Sequence, residues 1–205
     1  DLARAILSKR DAFKTPLNAA DLRDFLELGN LASDGLIAQT FEGDERDLCG
    51  KLIPLLPAVP RYDKHRRILG STNWDSPDFA GLRALEDLFL FGSGAKVNQA
   101  KIDGYANKAT RDAMGEDLEA LHDFMLRLQE ARPLRRGLQL AEKTHALHAF
   151  ASAFLPAYDM AKEQRGWLDF DDLIRRTRDL LTAREVAQWV LFRLDGGIDH
   201  ILVDE

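Results

Sequence analysis

The sequence predicts a mainly α-helical chain that closes on one short strand. Apolar residues recur at intervals of three and four through most of its length, and capping residues, prolines and glycines punctuate them at helix-length spacing. The strand is predicted by the last residues: Ile201, Leu202 and Val203 form a compact apolar run followed at once by Asp204 and Glu205. That is the pattern of a buried parallel strand delivering two carboxylates at its C-terminal end, where open α/β sheets place their ligands.

The 205 residues, 45% apolar and 30% charged, have the composition of a soluble globular protein with room for one large or two small domains. No apolar run is long enough to span a bilayer and no signal-peptide pattern appears, so no membrane partner is expected. Cys49 is the single cysteine. It excludes a disulfide framework or a cysteine metal cluster and fits a reducing, cytoplasmic location. The net charge of -6 means that the average field does not attract DNA, and any DNA contact must come from local clusters. The absence of an initiator Met and the ending on Asp204-Glu205 predict a piece of a longer protein.

A first helix is expected over Leu2 to Phe13, ended by Thr15-Pro16. Asn18 caps a second, with Leu22, Phe25 and Leu26 as its buried stripe and Gly29 as its stop. Residues 31 to 43 carry no clear pattern. Asp44 or Gly43 opens a helix through Leu48, Leu52 and Ile53, which Pro54, Pro57 and Pro60 close. Arg61-Tyr-Asp-Lys-His-Arg-Arg67 is a compact basic cluster, in which Arg61, Lys64, Arg66 and Arg67 are candidates for a DNA backbone contact. The alternative is the solvated face of a short helix. Ser76 as cap, Pro77 at the first helical position and Asp78 at the positive helix end precede Phe79, Leu82, Leu85, Leu88 and Phe89, with Gly92 as the stop. Trp74 is expected to pack on this helix.

Gly92-Ser-Gly-Ala-Lys96 is too short for a Walker A phosphate loop. Gly50-Lys51 comes nearest to one, but Leu52 follows where a hydroxyl is needed and no Gly stands at position 45. Residues 93 to 111, with Lys96, Lys101, Lys108 and Arg111, read as a basic surface loop. Helical periodicity returns from Glu116 to Glu130 through Leu118, Leu121, Met125 and Leu128. Arg127 lies near its end, and the Arg132-Pro-Leu-Arg-Arg136 turn makes Arg132, Arg135 and Arg136 a second DNA-contact candidate, although cations also suit a helix C-terminus for structural reasons. A long helix follows from Leu138 toward Gln164, with a kink expected at Pro156. His145 and His148, with His122 or Asp159, match no metal-site motif. Gly166 and Trp167 end that helix, and Asp169 caps the next by accepting from the backbone N–H of Asp172. Asp171 and Asp172 load its positive end, and Leu173, Ile174, Leu180 and Leu181 are its expected buried side. Thr182 and Glu185 form a capping-box pattern before Val186, Trp189, Val190 and Leu194, and Gly196-Gly197 release the chain into the final strand.

Leu168-Asp-Phe-Asp-Asp-Leu-Ile174, preceded by Tyr158, Lys162 and Gly166 and followed about thirty residues later by the run ending in Asp204-Glu205, resembles the segment before the Walker B strand of UvrD-like superfamily 1 DNA helicases. The closer likeness is to AddA, the helicase-nuclease subunit of bacterial double-strand-break repair and recombination. It covers roughly residues 158 to 205, while the rest is loosely similar to the helical 1B insertion of that family. The resemblance implies a helical insertion over 1–165, helices leading back to the motor domain over 166–197 and a truncated Walker B strand over 198–205. That strand, lacking its neighbours, is expected to be irregular or displaced.

In the full-length protein the resemblance implies that Asp204 holds Mg²⁺ and Glu205 acts on the water attacking ATP, so ATP and Mg²⁺ are cofactors there and none is expected in this chain. It also places the motif Asp169-Phe170-Asp171-Asp172 near the motor core. The implied partners are single-stranded or forked DNA and an AddB-like second subunit. Two other readings stand beside it: an autonomous helical scaffold or protein-interaction domain, and a metal-dependent hydrolase using Asp169, Asp171, Asp172, Asp204 and Glu205.

Overall fold

The first helix is shorter than its periodicity suggests. α1 (Leu2–Ser8) ends where Lys9 leaves helical geometry, and Arg10–Phe13 make a separate 3₁₀ turn. A computed structural model describes residues 1–182, 188–190 and 192–193. It divides into two compact units, Phe13–Ala149 and Asp1–Ala12 with Phe150–Glu205. The run from 198 to 205, with Asp204 and Glu205, lies outside the described residues, as do Glu185, Val186, Leu194, Gly196 and Gly197. Among the described residues the fold is mainly α, without a strand.

In the first unit, short polar caps set the helix starts. Asn18 accepts from the Ala20 N–H at 3.0 Å and opens α2 (Ala19–Phe25). Leu22 and Leu26 pack on the core, but Phe25, expected beside them, is 82% exposed. α3 (Ser33–Thr40) occupies the stretch that carried no clear pattern. α4 (Glu45–Leu55) buries Leu48 and Leu52 and holds Pro54 in its last turn, after which Leu56 is extended. A 3₁₀ turn, Pro60–Tyr62, leads into α5 (Asp63–Ser71). In α6 (Phe79–Phe89) the capping residue is Asp78, not Ser76: extended at Asp78, the chain lets its carboxylate accept from the Gly81 N–H at 2.7 Å. The helix stops at Leu90, before Gly92.

Residues 91–107 turn back on themselves. Asn98 N–H donates to Phe91 O while Phe91 N–H donates to Gln99 O, and Leu90 and Ala100 form an isolated antiparallel bridge. α7 (Lys108–Met114), capped by Asn107 on the Thr110 N–H, occupies part of the stretch read as a loop. α4 packs on α5 and α7, and α6 on α3 and α5. Their inward faces bury Leu36, Leu52, Leu69, Leu82, Leu85 and Phe89 with Phe124, Met125 and Leu128. Trp74 joins this core against the rings of Phe41 and Phe124.

α8 runs unbroken for 49 residues, Asp117–Arg165, where the sequence predicted two helices separated by a turn at Pro133. Proline in a helix interior costs about 3 kcal/mol. The face carrying Leu128, Ala131, Arg132, Arg135 and Leu138 is buried, and burying this continuous face offsets the lost hydrogen bond. Gly137 has its own reason: a Cβ there would stand 3.0 Å from the Leu28 side chain, so only glycine admits that contact unshifted.

The second unit holds α1, the C-terminal part of α8 and α9 (Phe170–Thr182). Ile6 and Ala151 are buried there, and Arg10 meets Asp159 at 2.6 Å. Gly166, at φ +64°, closes α8: its N–H bonds Glu163 O while Trp167 N–H reaches Lys162 O, satisfying two terminal carbonyls. Leu173, Ile174, Leu180 and Leu181, expected to be buried, are 43–68% exposed. The periodicity defines an apolar face of α9, but no described element covers it.

Candidate functional site

The basic segment 61–67 is anchored by Tyr62, which is buried at the start of α5. Arg61 lies over the Tyr62 ring, 4.5 Å from its centroid, and donates to its hydroxyl at 2.6 Å. His65, on the next turn, meets the rings of Tyr62 and Tyr105 at 5.1 and 5.3 Å, with Nδ1 3.2 Å from the Tyr105 hydroxyl. Burial pulls the His65 pKa down, and Lys101, Arg61, Lys64 and Arg66 pull it further. Burial likewise lowers Lys101, with Lys64 adding to the fall. Lys101 comes from the 91–107 excursion and is held by the Leu88 carbonyl at 2.8 Å. Two segments that are separate in sequence therefore bring cations together near His65, with Asp87 opposing them at Lys101.

The four arginines and lysines of the segment divide by role. Arg66 bonds Asp63 and the carbonyls of Leu56 and Pro57, so it fastens α5 to the preceding turn. Arg61, Lys64 and Arg67 are exposed. Among the described residues no carboxylate lies within ion-pair distance of Lys64 or Arg67. Lys96 and Lys108 are exposed as well, whereas Arg111 closes its own loop on the carbonyls of Asp103 and Ala106.

The second candidate, Arg132, Arg135 and Arg136, is corrected in two respects. It is helical rather than a turn, and two of its cations point their charge inward. Arg135 makes a bidentate pair with Glu86 at 2.7 and 2.6 Å, and Arg132 Nε lies 3.5 Å from the same carboxylate. Glu86 is fully buried and both arginines nearly so. Glu86 balances one of these cations and Asp87, 3.8 Å from Arg132, faces the other, leaving Arg136 exposed. The signal for this in the sequence was Glu86 itself, an acid placed among Leu82, Leu85 and Phe89 on the inward face of α6. Arg127 is similarly engaged, bonding Thr40 O at 3.1 Å and Glu45 at 2.6 Å.

In the other unit, Asp169 and Asp172 build a reciprocal cap. Asp169 Oδ1 accepts from Asp172 N–H at 2.9 Å, and Asp172 Oδ2 accepts from Asp169 N–H at 3.2 Å. Lys162, on the last turn of α8, donates to Asp169 at 2.8 Å and to Asp172 at 2.5 Å, while its ammonium lies over the Tyr158 ring at 4.7 Å. Arg175 adds a second cation to Asp172. The Lys162 bond is the main reason that the Asp172 carboxyl is held down to about 2, and it lowers Asp169 too. Burial opposes the charge on Lys162, but the two aspartates outweigh it and raise its pKa.

Asp171 and Phe170 are exposed beside this cluster. The hydrolase reading needed Asp169, Asp171 and Asp172 to gather with Asp204 and Glu205 round a cation; Asp169 and Asp172 are taken up by Lys162, and Asp204 and Glu205 lie outside the described residues. Among the described residues no group of three or more His, Cys, Asp or Glu side chains is placed to hold a metal ion. His148 instead packs on Phe13, with centroids 5.0 Å apart.

A family model described as UvrD/REP helicase N-terminal domain matches residues 59–205, well over half of the chain. No curated protein and no solved structure matches it.

Proposed function

The chain belongs to the UvrD/REP helicase N-terminal domain family, and on that premise we propose that it is the DNA-contacting helical part of a superfamily 1 helicase of AddA type, serving double-strand-break repair and recombination. Its contribution is binding and geometry beside the motor. The observation that carries this is the positive field around His65, to which α5 and the 91–107 excursion both contribute while Arg61, Lys64 and Arg67 stay exposed. In a chain of net charge -6, such a local concentration is what a phosphate backbone requires.

ATP and Mg²⁺ belong, in this reading, to the full-length protein, where Asp204 and Glu205 are assigned to the metal and the attacking water. The sequence contains no phosphate loop with its lysine and hydroxyl, so this chain alone is expected not to hydrolyse ATP. The nuclease activity and an AddB-like second subunit are likewise assigned to the parent complex.

Fluorescence anisotropy of labelled single-stranded, duplex and forked DNA, titrated with salt, tests the reading. Affinity should fall steeply with salt, with a log-log slope of about -0.7 to -0.9 for each neutralised phosphate. Absence of binding at low salt would instead favour a protein-interaction domain. For that second reading the specific observation is the exposed apolar face of α9, Leu173, Ile174, Leu180 and Leu181.

A further inference from the structure

Two clefts of the Phe13–Ala149 unit meet at Trp74. The larger, about 710 Å³, runs between α4 and α5 past Gly50, Ile53, Leu69 and Gly70. The smaller, about 350 Å³, continues past Ile37, Phe41 and Pro77, and Arg46, Trp74 and Asp75 border both. Trp74 is half-buried, its indole N–H donates to Leu69 O at 3.2 Å, and its ring packs edgewise on Phe41. A fixed aromatic wall therefore joins the two clefts. Beside it the surface is open, since a Cβ at Gly50 or Gly70 would meet nothing within 4 Å.

The charges round this groove do not cancel. Arg46 is engaged by Asp75 at 2.9 Å and Lys51 by Asp117 at 2.7 Å, while the buried Glu45 is held by Arg127 at 2.6 Å. Each cation of the lining thus already has its carboxylate. Asp47 in the larger cleft and Asp34 in the smaller are exposed, and among the described residues neither has an ion-pair partner. Asp47 only adds to the field on Lys51, whose ammonium is bonded to Asp117. An aromatic-walled groove with surplus carboxylate on both arms repels a phosphate and attracts a cation.

We propose that this groove docks a basic segment of a partner protein, with one apolar side chain against Trp74 and flanking lysine or arginine side chains directed to Asp34 and Asp47. The apolar contact supplies most of the affinity, because exposed ion pairs contribute little each, and the two carboxylates select the partner and speed its approach. The inference does not depend on the DNA-contact reading: Arg61, Lys64 and Arg67 line neither cleft.

The probe is a library of random dodecapeptides displayed on phage and selected on the immobilised wild-type chain. Enriched sequences should carry Lys or Arg on both sides of an apolar residue. A synthetic copy of the dominant sequence should shift the Trp74 indole N–H and the amides of Gly50 and Gly70 in ¹⁵N spectra. By calorimetry, Asp34→Asn with Asp47→Asn should weaken that peptide roughly fivefold. Gly50→Leu with Gly70→Leu fills the open surface with a better helix former, so it should abolish binding without lowering Tm. No enrichment, enrichment of acidic or uncharged sequences, shifts confined to other surfaces, or equal affinity in the asparagine variant overturns the inference. Displacement of the peptide by oligothymidylate with the Trp74 resonance still shifted would assign the groove to nucleic acid and overturns it too.

Discussion

Replacing Lys162 by methionine preserves the length and apolar stem of the side chain and removes a single charge. In the native cluster that charge lies 2.8 Å from Asp169 and 2.5 Å from Asp172, with the Lys162 side chain 9% exposed and that of Asp172 4% exposed. Removing one partner of a buried pair costs about 3–5 kcal/mol. The expected cost here is lower, about 2 kcal/mol, because Arg175 stays on Asp172 and Asp169 is more than one-third exposed and so partly solvated. The loss should be local. Backbone bonds from Trp167 N to Lys162 O and from Leu173 N to Asp169 O tie the turn to both helices, so the first turn of α9 should open more often. Hydrogen exchange of the amides of residues 169 to 173 should speed up roughly thirtyfold, while the amides of α6 stay unchanged. Unaltered protection in the α9 turn would show that the reciprocal Asp169–Asp172 cap holds it without the lysine, and would refute the reasoning.

Acid should act on the same turn. Asp172 titrates at about 2 when folded against 3.8 for a free aspartate, so its contribution is complete above about pH 4 and is lost as pH falls through 2. Protection of the α9 turn in the wild type should fall over that window, and the Lys162→Met variant should show a smaller fall. Glu86→Ala should cost about 4 kcal/mol in denaturant unfolding of the Phe13–Ala149 unit, since it leaves Arg135 buried without its partner. Arg135→Glu should likewise unfold the protein rather than selectively weaken a DNA contact, a distinction that circular dichroism makes directly. Cys49 is 1% exposed and burial pushes its thiol up to about 12, so at pH 8 it should resist an aromatic disulfide reagent until the protein unfolds.

Local chemistry was legible in the sequence where one residue had one task. Asn18 and Asp169 cap the helices that their positions suggested, because an Asx side chain reaches a backbone N–H two or three residues ahead without tertiary help. At Ser76-Pro77-Asp78 two acceptors competed, and the extended backbone of Asp78 decided between them. Asn107 caps a helix that went unnoticed within a polar stretch. Periodicity found the apolar face of α9 but carried no information on what covers it. Pro133 misled for a different reason. Its helix-breaking tendency is local, whereas the burial of Arg132 and Arg135 on Glu86 depends on a helix some fifty residues away. The candidate site shows the same limit: sequence marked Lys64 and Lys101 in separate basic stretches, and only the fold places them in one field.

The most direct test of the DNA-contact claim is the salt dependence of forked-DNA binding by the wild type and by Arg61→Glu with Lys64→Glu and Arg67→Glu, followed by anisotropy. None of the three takes part in the Glu86 pair and Arg61 gives up only its contact with Tyr62, so the triple variant should fold, which circular dichroism checks. If the cluster contacts phosphate, the variant should bind more weakly on every DNA and the log-log salt slope should shrink by roughly one for each lost contact. An unchanged affinity and an unchanged slope would contradict the claim and move the DNA contact, if any, away from the field around His65.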